Sequence, residues 1–350
     1  MEEEARCFLG RFVQEFPAAL EEGSLLPVRP MSCKVSLEEL HGECLELGLR
    51  LLAVRGAPAG LSALLCQTAL SQLLQNDLLP FHCPNEADDN QEEEKQVVML
   101  QSEAVQRLFL NKLIDGALAW HQNFPKLSPS PSRFLLCSVH AIKNTRRKME
   151  DKHLALAEFN QLFGIQDGVE CAYYALFDGH GGVDAATFAA THLHVSLSKQ
   201  EALRSDTATA FKTAFKHTDD IFKSKAKRER LRSGTTAVAV LIQGQELTVA
   251  WLGDSQAMLV RKGQAVTLMD PHKPDREVTL TRSPMCLEMP TAQQPSCAGT
   301  RTMCCWRAMA FLMQSNLRRS LIWSWMHSIC LVTPRAGQTL CWNSLRTLLD

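Results

Sequence analysis

The chain has 350 residues and a formal net charge of −1 at pH 7. A near-neutral chain has no global field that attracts nucleic acid or an anionic membrane, so we expect neither partner. It contains no run of about 18 uninterrupted apolar residues, which predicts no membrane span. The acidic N-terminus lacks the features of a signal peptide. We therefore expect a cytoplasmic protein, with a nuclear location left open, whose 13 cysteines are mostly free thiols.

The first part of the chain, residues 1–130, carries apolar residues at helical spacing, which predicts an α-helical N-terminal region. The clearest run is Leu61, Leu64, Leu65, Ala69, Leu70, Leu73 and Leu74. Residues 86–95 are strongly acidic and predict a solvated linker within this region, with binding to a basic partner as the alternative. Pro129 and Pro131 predict a boundary before residue 133, because proline interrupts a helix.

Residues 133–277 alternate strand-like runs with two helical stretches, near residues 183–200 and 207–230. The most informative run is Tyr173–Gly182, an apolar, aromatic segment that ends at Asp178 and turns at Gly179. Such a strand end presents a carboxylate and a backbone carbonyl, the oxygen ligands that hard divalent cations prefer, beside the imidazole of His180. The alternative is an ordinary Asp-Gly turn followed by a turn histidine.

Three further motifs accompany this turn. Upstream, Arg146 precedes the adjacent pair Glu150 and Asp151. Its planar guanidinium suits phosphate because it donates two parallel hydrogen bonds. Downstream, Ser233–Val240 and Val249–Ser255 have the pattern of consecutive strands, the second of which ends in Gly-Asp-Ser.

Two other features have plainer interpretations. The hydroxyls of Thr235 and Ser255 are interpreted as strand-edge groups, because neither has the adjacent base that a nucleophile needs. The basic run Lys223–Arg230 is similar to a nuclear-localisation segment, but we favour a solvated helix end.

The order R-x-x-M-E-D, F-D-G-H-G-G, S-G-T-T and W-L-G-D-S resembles the metal-dependent type 2C (PPM-type) protein serine/threonine phosphatases. Within that family, Ile142–Asp151 and Lys225–Thr236 resemble the calmodulin-dependent protein kinase phosphatase branch. The resemblance implies an α+β fold, in which an α-β-β-α sandwich of two antiparallel sheets flanked by helices follows an α-helical N-terminal region. It stops at residue 277, which implies that the phosphatase domain at 133–277 is incomplete at its C-terminal side.

The resemblance also implies a role for each motif residue. Metal ligation, directly or through bound water, falls to Glu150, Asp151, Asp178, Gly179 and Asp254. Asp178 would bridge two Mn²⁺ or Mg²⁺ ions, and Asp254 would hold a further, weaker ion. Arg146 would bind the substrate phosphate, and His180 would protonate the departing alkoxide.

The implied activity is the dephosphorylation of phosphoserine and phosphothreonine by direct attack of a metal-activated water. Calmodulin-dependent and PAK-type kinases are the substrates that the branch implies. Two later aspartates that the family uses as ligands have no counterpart in this sequence, so metal binding is expected to be weak or partial. The alternative is a catalytically inactive, splice-type variant that binds partners or has a regulatory role.

Residues 278–350 differ from the rest of the chain. They hold six of the 13 cysteines and four of the six tryptophans, but their acidic residues are Glu288 and Asp350 alone. No helical or strand period persists for long. A metal site at Met303–Trp306 is disfavoured, because adjacent cysteines without a second pair fit zinc poorly.

We hypothesise that this tail is the C-terminal coding region of the family read in a shifted frame. Met and Trp each have a single codon, which constrains the message for Met303–Ala310 tightly. Starting each codon one base earlier, with a CGN codon at Arg307, permits Val-Leu-Leu-Ala followed by Cys, Asp and Gly. The late metal motif of the family resembles that order. The same shift at Ser283–Cys286 permits Lys-Pro-Tyr-Val, another family segment.

Sequencing the transcript tests this hypothesis. We expect a skipped exon whose length is not a multiple of three, placed before the codons of the tail. Translation in the alternative frame should then yield the aspartate-containing motif. A tail whose codons share the frame of the family's C-terminal region would contradict the hypothesis.

Overall fold

The computed structural model describes residues 2–83, 97–125, 136–143, 146–261 and 264–272, together with the strand segments 291–293, 309–314 and 326–332. The predicted acidic linker at 86–95 and the boundary prolines lie outside these ranges. The chain divides into two compact units. One comprises Met1–Ser130 with Glu158–Asp167, and the other comprises Pro131–Ala157 with Gly168–Asp350.

The first unit is mainly helical, which confirms the predicted α-helical N-terminal region. Its elements are α1 (Glu2–Glu15), β1 (Lys34–Ser36), α2 (Leu37–Val54), α3 (Ala59–Leu73), β2 (Met99–Gln101), α4 (Ser102–Gln122) and α5 (Phe159–Phe163). The apolar run identified in the sequence forms α3, and β1 pairs antiparallel with β2.

Local chemistry explains how α2 begins and how it packs. Its N-cap Ser36 and Glu39 form a reciprocal capping box, in which the Ser36 hydroxyl accepts from the Glu39 amide and the Glu39 carboxylate accepts from the Ser36 amide. Gly48 permits close helix packing, since a Cβ there would lie 2.8 Å from the Cys66 sulfur and 3.0 Å from the Phe109 ring. A side chain at this position would force the helices apart.

The second unit combines two helices with antiparallel strands. Its elements are β3 (Leu136–Ile142), β4 (Lys152–Leu156), β5 (Cys171–Phe177), β6 (Gly179–His180), α6 (Asp184–Ser198), α7 (Thr207–Glu229), β7 (Gly234–Thr235), β8 (Ala237–Gln243), β9 (Glu246–Leu252), β10 (Gln256–Arg261), β11 (Gln264–Thr267), β12 (Thr291–Gln293), β13 (Met309–Gln314) and β14 (Met326–Val332). Both helical stretches expected near residues 183–200 and 207–230 are present.

Ten of these strands form two five-stranded antiparallel sheets, with the orders β11-β10-β13-β14-β3 and β12-β9-β8-β5-β4, and β6 pairs with β7. One face of β5, β8 and β9 packs with residues around β10 and β3, and the cluster includes Tyr174, Val240, Trp251, Ala257 and Leu268. Helices α6 and α7 pack against each other and against the second sheet. The predicted α+β class with two antiparallel sheets flanked by helices is confirmed.

The tail contributes three strands, although no period in its sequence indicated them. β12 lies beside β9, while β13 and β14 lie between β10 and β3. All three are short, from three to seven residues. Runs of this length give little periodic signal, and β13 and β14 are largely apolar rather than alternating.

Other predictions concern charge, thiols and membranes. The basic run at residues 223–230 covers the last turns of α7, where Lys223 and Lys225 form ion pairs with Asp219 and Glu229. In the first unit, Cys7, Cys33, Cys44, Cys66 and Cys83 are free thiols. Among the helices in those ranges, none combines the length and apolar character required to cross a bilayer.

Candidate active site

Four strands of the second sheet, β4, β5, β8 and β9, end at a common edge. The last pairs across them are Lys152 with Phe177, Leu176 with Val238, and Ala237 with Leu252. Antiparallel partners remain opposite as the two chains advance by one residue in opposite directions. The pairing of Gly179 with Thr235 shows that the register between β5 and β8 continues past the end of β5.

The same register, extended to the edge, brings four residues into one row. In the order β4, β5, β8 and β9, the row reads Asp151, Asp178, Thr236 and Gly253. Asp254 follows Gly253 directly. Carboxylates from three separate stretches of the sequence therefore meet at one end of the sheet. We name the four opposed residues, Asp151, Asp178, Thr236 and Gly253, the edge row.

The backbone carbonyl of Asp178 is held by the strand beside it. The Thr236 amide donates to this oxygen at 2.9 Å. The Thr235 hydroxyl lies 3.1 Å from the same oxygen but only 2.8 Å from the Thr236 carbonyl, so its single proton is divided between two acceptors. The amide of Thr236 is consequently the steadier anchor of Asp178.

Gly179 brings the Glu150 backbone against the Asp178 turn. A Cβ added to Gly179 would lie 2.4 Å from the Glu150 carbonyl oxygen and 3.1 Å from the Ala186 side chain. Only glycine permits this approach, and the neighbouring atom is backbone, which cannot move aside at low cost. The close contact explains why a glycine follows the aspartate in the motif.

His180 lies exposed beside the edge row, and its ring rests on Gly234. A Cβ at Gly234 would lie 2.4 Å from the His180 Nε2 atom. Ser233 is buried and stabilises the start of α6. Its hydroxyl oxygen accepts a hydrogen bond of 3.0 Å from the Ala185 amide in the first turn of that helix. The Ser-Gly-Thr-Thr run thus supports the whole turn after Asp178.

The turn that carries Asp254 is held on two sides. On one side, the Gly253 amide donates to the Nδ1 atom of His272 at 3.3 Å, and the His272 amide donates to the Gly253 carbonyl at 2.9 Å. On the other side, the Thr236 and Ser255 hydroxyls lie 2.8 Å apart and share a hydrogen bond. Gly253 has a φ of +98°, a left-handed conformation that favours glycine.

The electrostatics of the row centre on Asp178. The pKa of its carboxyl is raised from the ordinary 3.8 to about 7, first by burial and then by the negative charges of Asp151 and Asp254. A hydrogen bond to the Asp151 side chain acts in the same direction, whereas the Arg146 guanidinium lowers the pKa. Three carboxyl groups with one nearby cation thus form a half-buried concentration of negative charge.

The donor set fits a hard divalent cation. Carboxylate and carbonyl oxygens are the ligands that Mg²⁺ and Mn²⁺ prefer, and a dication would remove the repulsion that raises the pKa of Asp178. Within the described residues, however, no three His, Cys, Asp or Glu side chains are arranged as a complete metal centre. The residues therefore fit a cation that is bound by Asp178 and by few other protein ligands.

The predicted site residues converge in part. The charges of Asp151 and Asp254 act on Asp178, and Arg146 lies close enough to oppose them. Glu150 reaches this group through its backbone carbonyl beside Gly179. His180 lies beside the row on Gly234. The roles of the seven predicted residues as ligands, acid or phosphate clamp stay predictions.

Two supporting residues were not recognised from the sequence. Thr236 belongs to a motif that the sequence had identified, but its contacts with both carboxylate-bearing turns depend on the strand order. His272 stands in the run Asp270–Lys273, between polar and proline residues. No local pattern there indicates a contact with Gly253.

The fold and the carboxylate row agree with comparisons to known proteins. Residues 135–282 match the family model described as protein phosphatase 2C. This match confirms the resemblance to the PPM-type phosphatases over residues 135–282. The first residue of the match lies next to β3, and its last lies ten residues past His272.

The most similar proteins include two curated mammalian phosphatases. Protein phosphatase 1F of Rattus norvegicus is 48% identical over 273 residues, which cover 77% of this chain and 61% of that protein. Protein phosphatase 1E of Homo sapiens is 47% identical over 249 residues, which cover 71% of this chain and 32% of that protein. The chain therefore spans about three fifths or less of these relatives.

A solved structure supports the fold. The structure described as a C. elegans sex determining protein aligns with a TM-score of 0.63 at 14% identity, covering 95% of this chain and 93% of that one. At this identity the likeness concerns the fold alone.

The raised pKa of Asp178 predicts a pH-dependent stability. Below about pH 4 the carboxyl is protonated in both states; between about pH 4 and 7 the unfolded chain loses the proton while the folded chain keeps it. The free energy of unfolding should therefore fall over this interval. Asp178→Asn should reduce this fall and stabilise the metal-free chain at pH 7.5, by at most about 4 kcal/mol. A smaller fall should persist, because burial also raises the pKa values of Glu158 and Asp219.

Thermal unfolding at several pH values in a metal-free buffer measures this effect. Asp115→Asn, an exposed substitution on α4, is the matched control and should leave the pH dependence unchanged. A parent chain whose stability is flat between pH 4 and 7 would contradict the prediction.

Proposed function

We propose that this chain is a metal-dependent protein serine/threonine phosphatase that hydrolyses phosphoserine and phosphothreonine with Mn²⁺ or Mg²⁺. The observation that carries the proposal is the edge row at the common end of four strands, where Asp178 lies opposite Asp151 and Asp254 follows Gly253 directly. The family match at residues 135–282 supports this reading of the carboxylates.

The carboxylates perform the binding step. Asp178 lies between Asp151 and the Asp254 turn, so these carboxylates, with the Gly179 carbonyl on the adjacent residue, would hold the cation. A bound dication supplies a water of lowered pKa and neutralises the phosphoryl oxygens. The protein's part is to hold these oxygens in place before the substrate arrives.

Two exposed residues complete the site. Arg146 is exposed and near the carboxylates, so its guanidinium can donate to the phosphate while it offsets the negative row. His180 is exposed as well, and its ring lies against Gly234. From this position the imidazole can give a proton to the serine or threonine oxygen as the phosphorus–oxygen bond breaks.

The substrate class follows from the exposure of these groups. A phosphorylated side chain on a protein surface can approach Arg146 and His180 directly, which suits phosphoproteins. The branch resemblance makes calmodulin-dependent and PAK-type kinases the substrates that we propose to test first.

A second candidate function is that of a catalytically inactive regulatory protein. It is favoured by one observation, namely that the described residues contain no three-ligand metal centre. In this case the helical first unit, with its own core around α2, α3 and α4, would bind partners of the intact enzyme.

Hydrolysis of a phosphothreonine peptide in millimolar Mn²⁺ separates the two candidates. We expect phosphate release by the parent chain and a loss of at least about 100-fold in Asp178→Asn, because the bridging carboxylate is removed. Asp115→Asn should retain the parent rate. Folded parent protein that releases no phosphate would reject the phosphatase proposal and leave the regulatory candidate.

The placement of His180 yields a separate prediction. Gly234→Ala should push the imidazole aside, because the new Cβ overlaps its Nε2 atom. Since His180 is exposed and can move, stability should change little, while kcat should fall by about tenfold or more. The same substitution should cost little further activity in a His180→Ala background, because the two changes act on one group.

Gly60→Ala is the matched control for this experiment. Gly60 lies in α3 with open space around a Cβ, so this substitution should leave kcat unchanged. Equal and additive losses from Gly234→Ala with and without His180 would show that Gly234 does not act through the imidazole.

A further inference from the structure

We propose that Thr236 is a positioning residue that sets the distance between the carboxylates of Asp178 and Asp254. The inference rests on the proposed metal site, since it explains how two of its acidic residues are held together. Thr236 touches neither substrate nor reacting atoms in this account. It acts through the backbone on one side and through its side chain on the other.

The first link runs from Thr236 to Asp178. In the continued register of β5 and β8, these two residues are opposite each other. The Thr236 amide donates to the Asp178 carbonyl at 2.9 Å. The position of the Asp178 backbone is thereby tied to the first residues of β8.

The second link runs from the Thr236 side chain to the residues on both sides of Asp254. Its hydroxyl shares a 2.8 Å hydrogen bond with the hydroxyl of Ser255, which is only 1% exposed. Its methyl group packs on Gly253, since a Cβ there would lie 2.6 Å from the Thr236 Cγ2 atom. Asp254 is therefore bracketed by two contacts with one threonine.

These links have a direct consequence for cation binding. Two carboxylates that repel each other separate when nothing holds their backbones, and a cation must then draw them together at a cost in affinity. Thr236 removes this cost by holding both turns in advance. Residues that orient metal ligands typically contribute about 10- to 100-fold in metal affinity.

The side chain can be tested without disturbing the backbone link. Thr236→Val keeps the β-branched shape and the packing on Gly253 but loses the hydroxyl. Thr236→Ser keeps the hydroxyl and should rescue binding. Ser255→Ala removes the other partner of the same bond. Thr213→Val, on the exposed surface of α7, controls for the general effect of replacing threonine by valine.

The readout is the Mn²⁺ concentration that gives half of the metal-induced rise in melting temperature. We expect this concentration to increase by about tenfold or more in Thr236→Val and in Ser255→Ala. The double variant should be no worse than either single variant, because all three lack one and the same bond. Thr236→Ser and Thr213→Val should resemble the parent chain.

A parent and a Thr236→Val variant with equal Mn²⁺ midpoints would overturn the inference, since both retain the backbone link and the packing. A parent chain with no Mn²⁺ response would instead reject the proposed metal site. In that event amide hydrogen exchange at residues 253–256 decides on the link itself. Faster exchange in Thr236→Val than in the parent supports it, and equal exchange overturns it.

Discussion

The register of four adjacent strands is the constraint on which the candidate site depends. Asp151, Asp178, Thr236 and Gly253 become neighbours only because β4, β5, β8 and β9 end at the same level. Side chains in a strand alternate between faces, so a slip of one residue would turn Asp178 away from Asp151. The chemistry of the site is therefore a consequence of backbone pairing across the sheet.

This register is fixed at the strand ends more than along their length. β5 and β8 are buried on both faces, so the alternation that usually specifies register is absent. At the edge, however, Gly179 and Gly253 each stand where a Cβ would meet another atom within 2.6 Å. A slipped pairing would place a larger side chain at one of these contacts. The glycines of the motifs thus define the pairing as well as the turns.

The sequence predicts those features of the molecule that are encoded in a short, continuous run of residues. Asp178, Asp254 and the Glu150–Asp151 pair were found because each follows or precedes a short run of strand character. The helices were found because their apolar period persists over several turns. The contacts of Thr236 required the strand order β5-β8-β9, which no local pattern contains. Of the tail strands, β12 was missed because it has only three residues, and β13 and β14 were missed because their apolar residues do not alternate with polar ones.

The acidic groups of the site are buried or half-buried, whereas its basic groups are exposed, and this difference has a physical reason. Asp151 is buried and Asp178 half-buried, where the low local polarity strengthens their attraction for a cation and raises the pKa of Asp178 in its absence. Arg146 and His180 are exposed, where a guanidinium and an imidazole remain accessible to a phosphorylated side chain. Burying the acidic row lowers the stability of the metal-free fold. Proteins bury unpaired charged groups mainly where function requires them. The loss of stability therefore arises at Asp178 and not in the hydrophobic core.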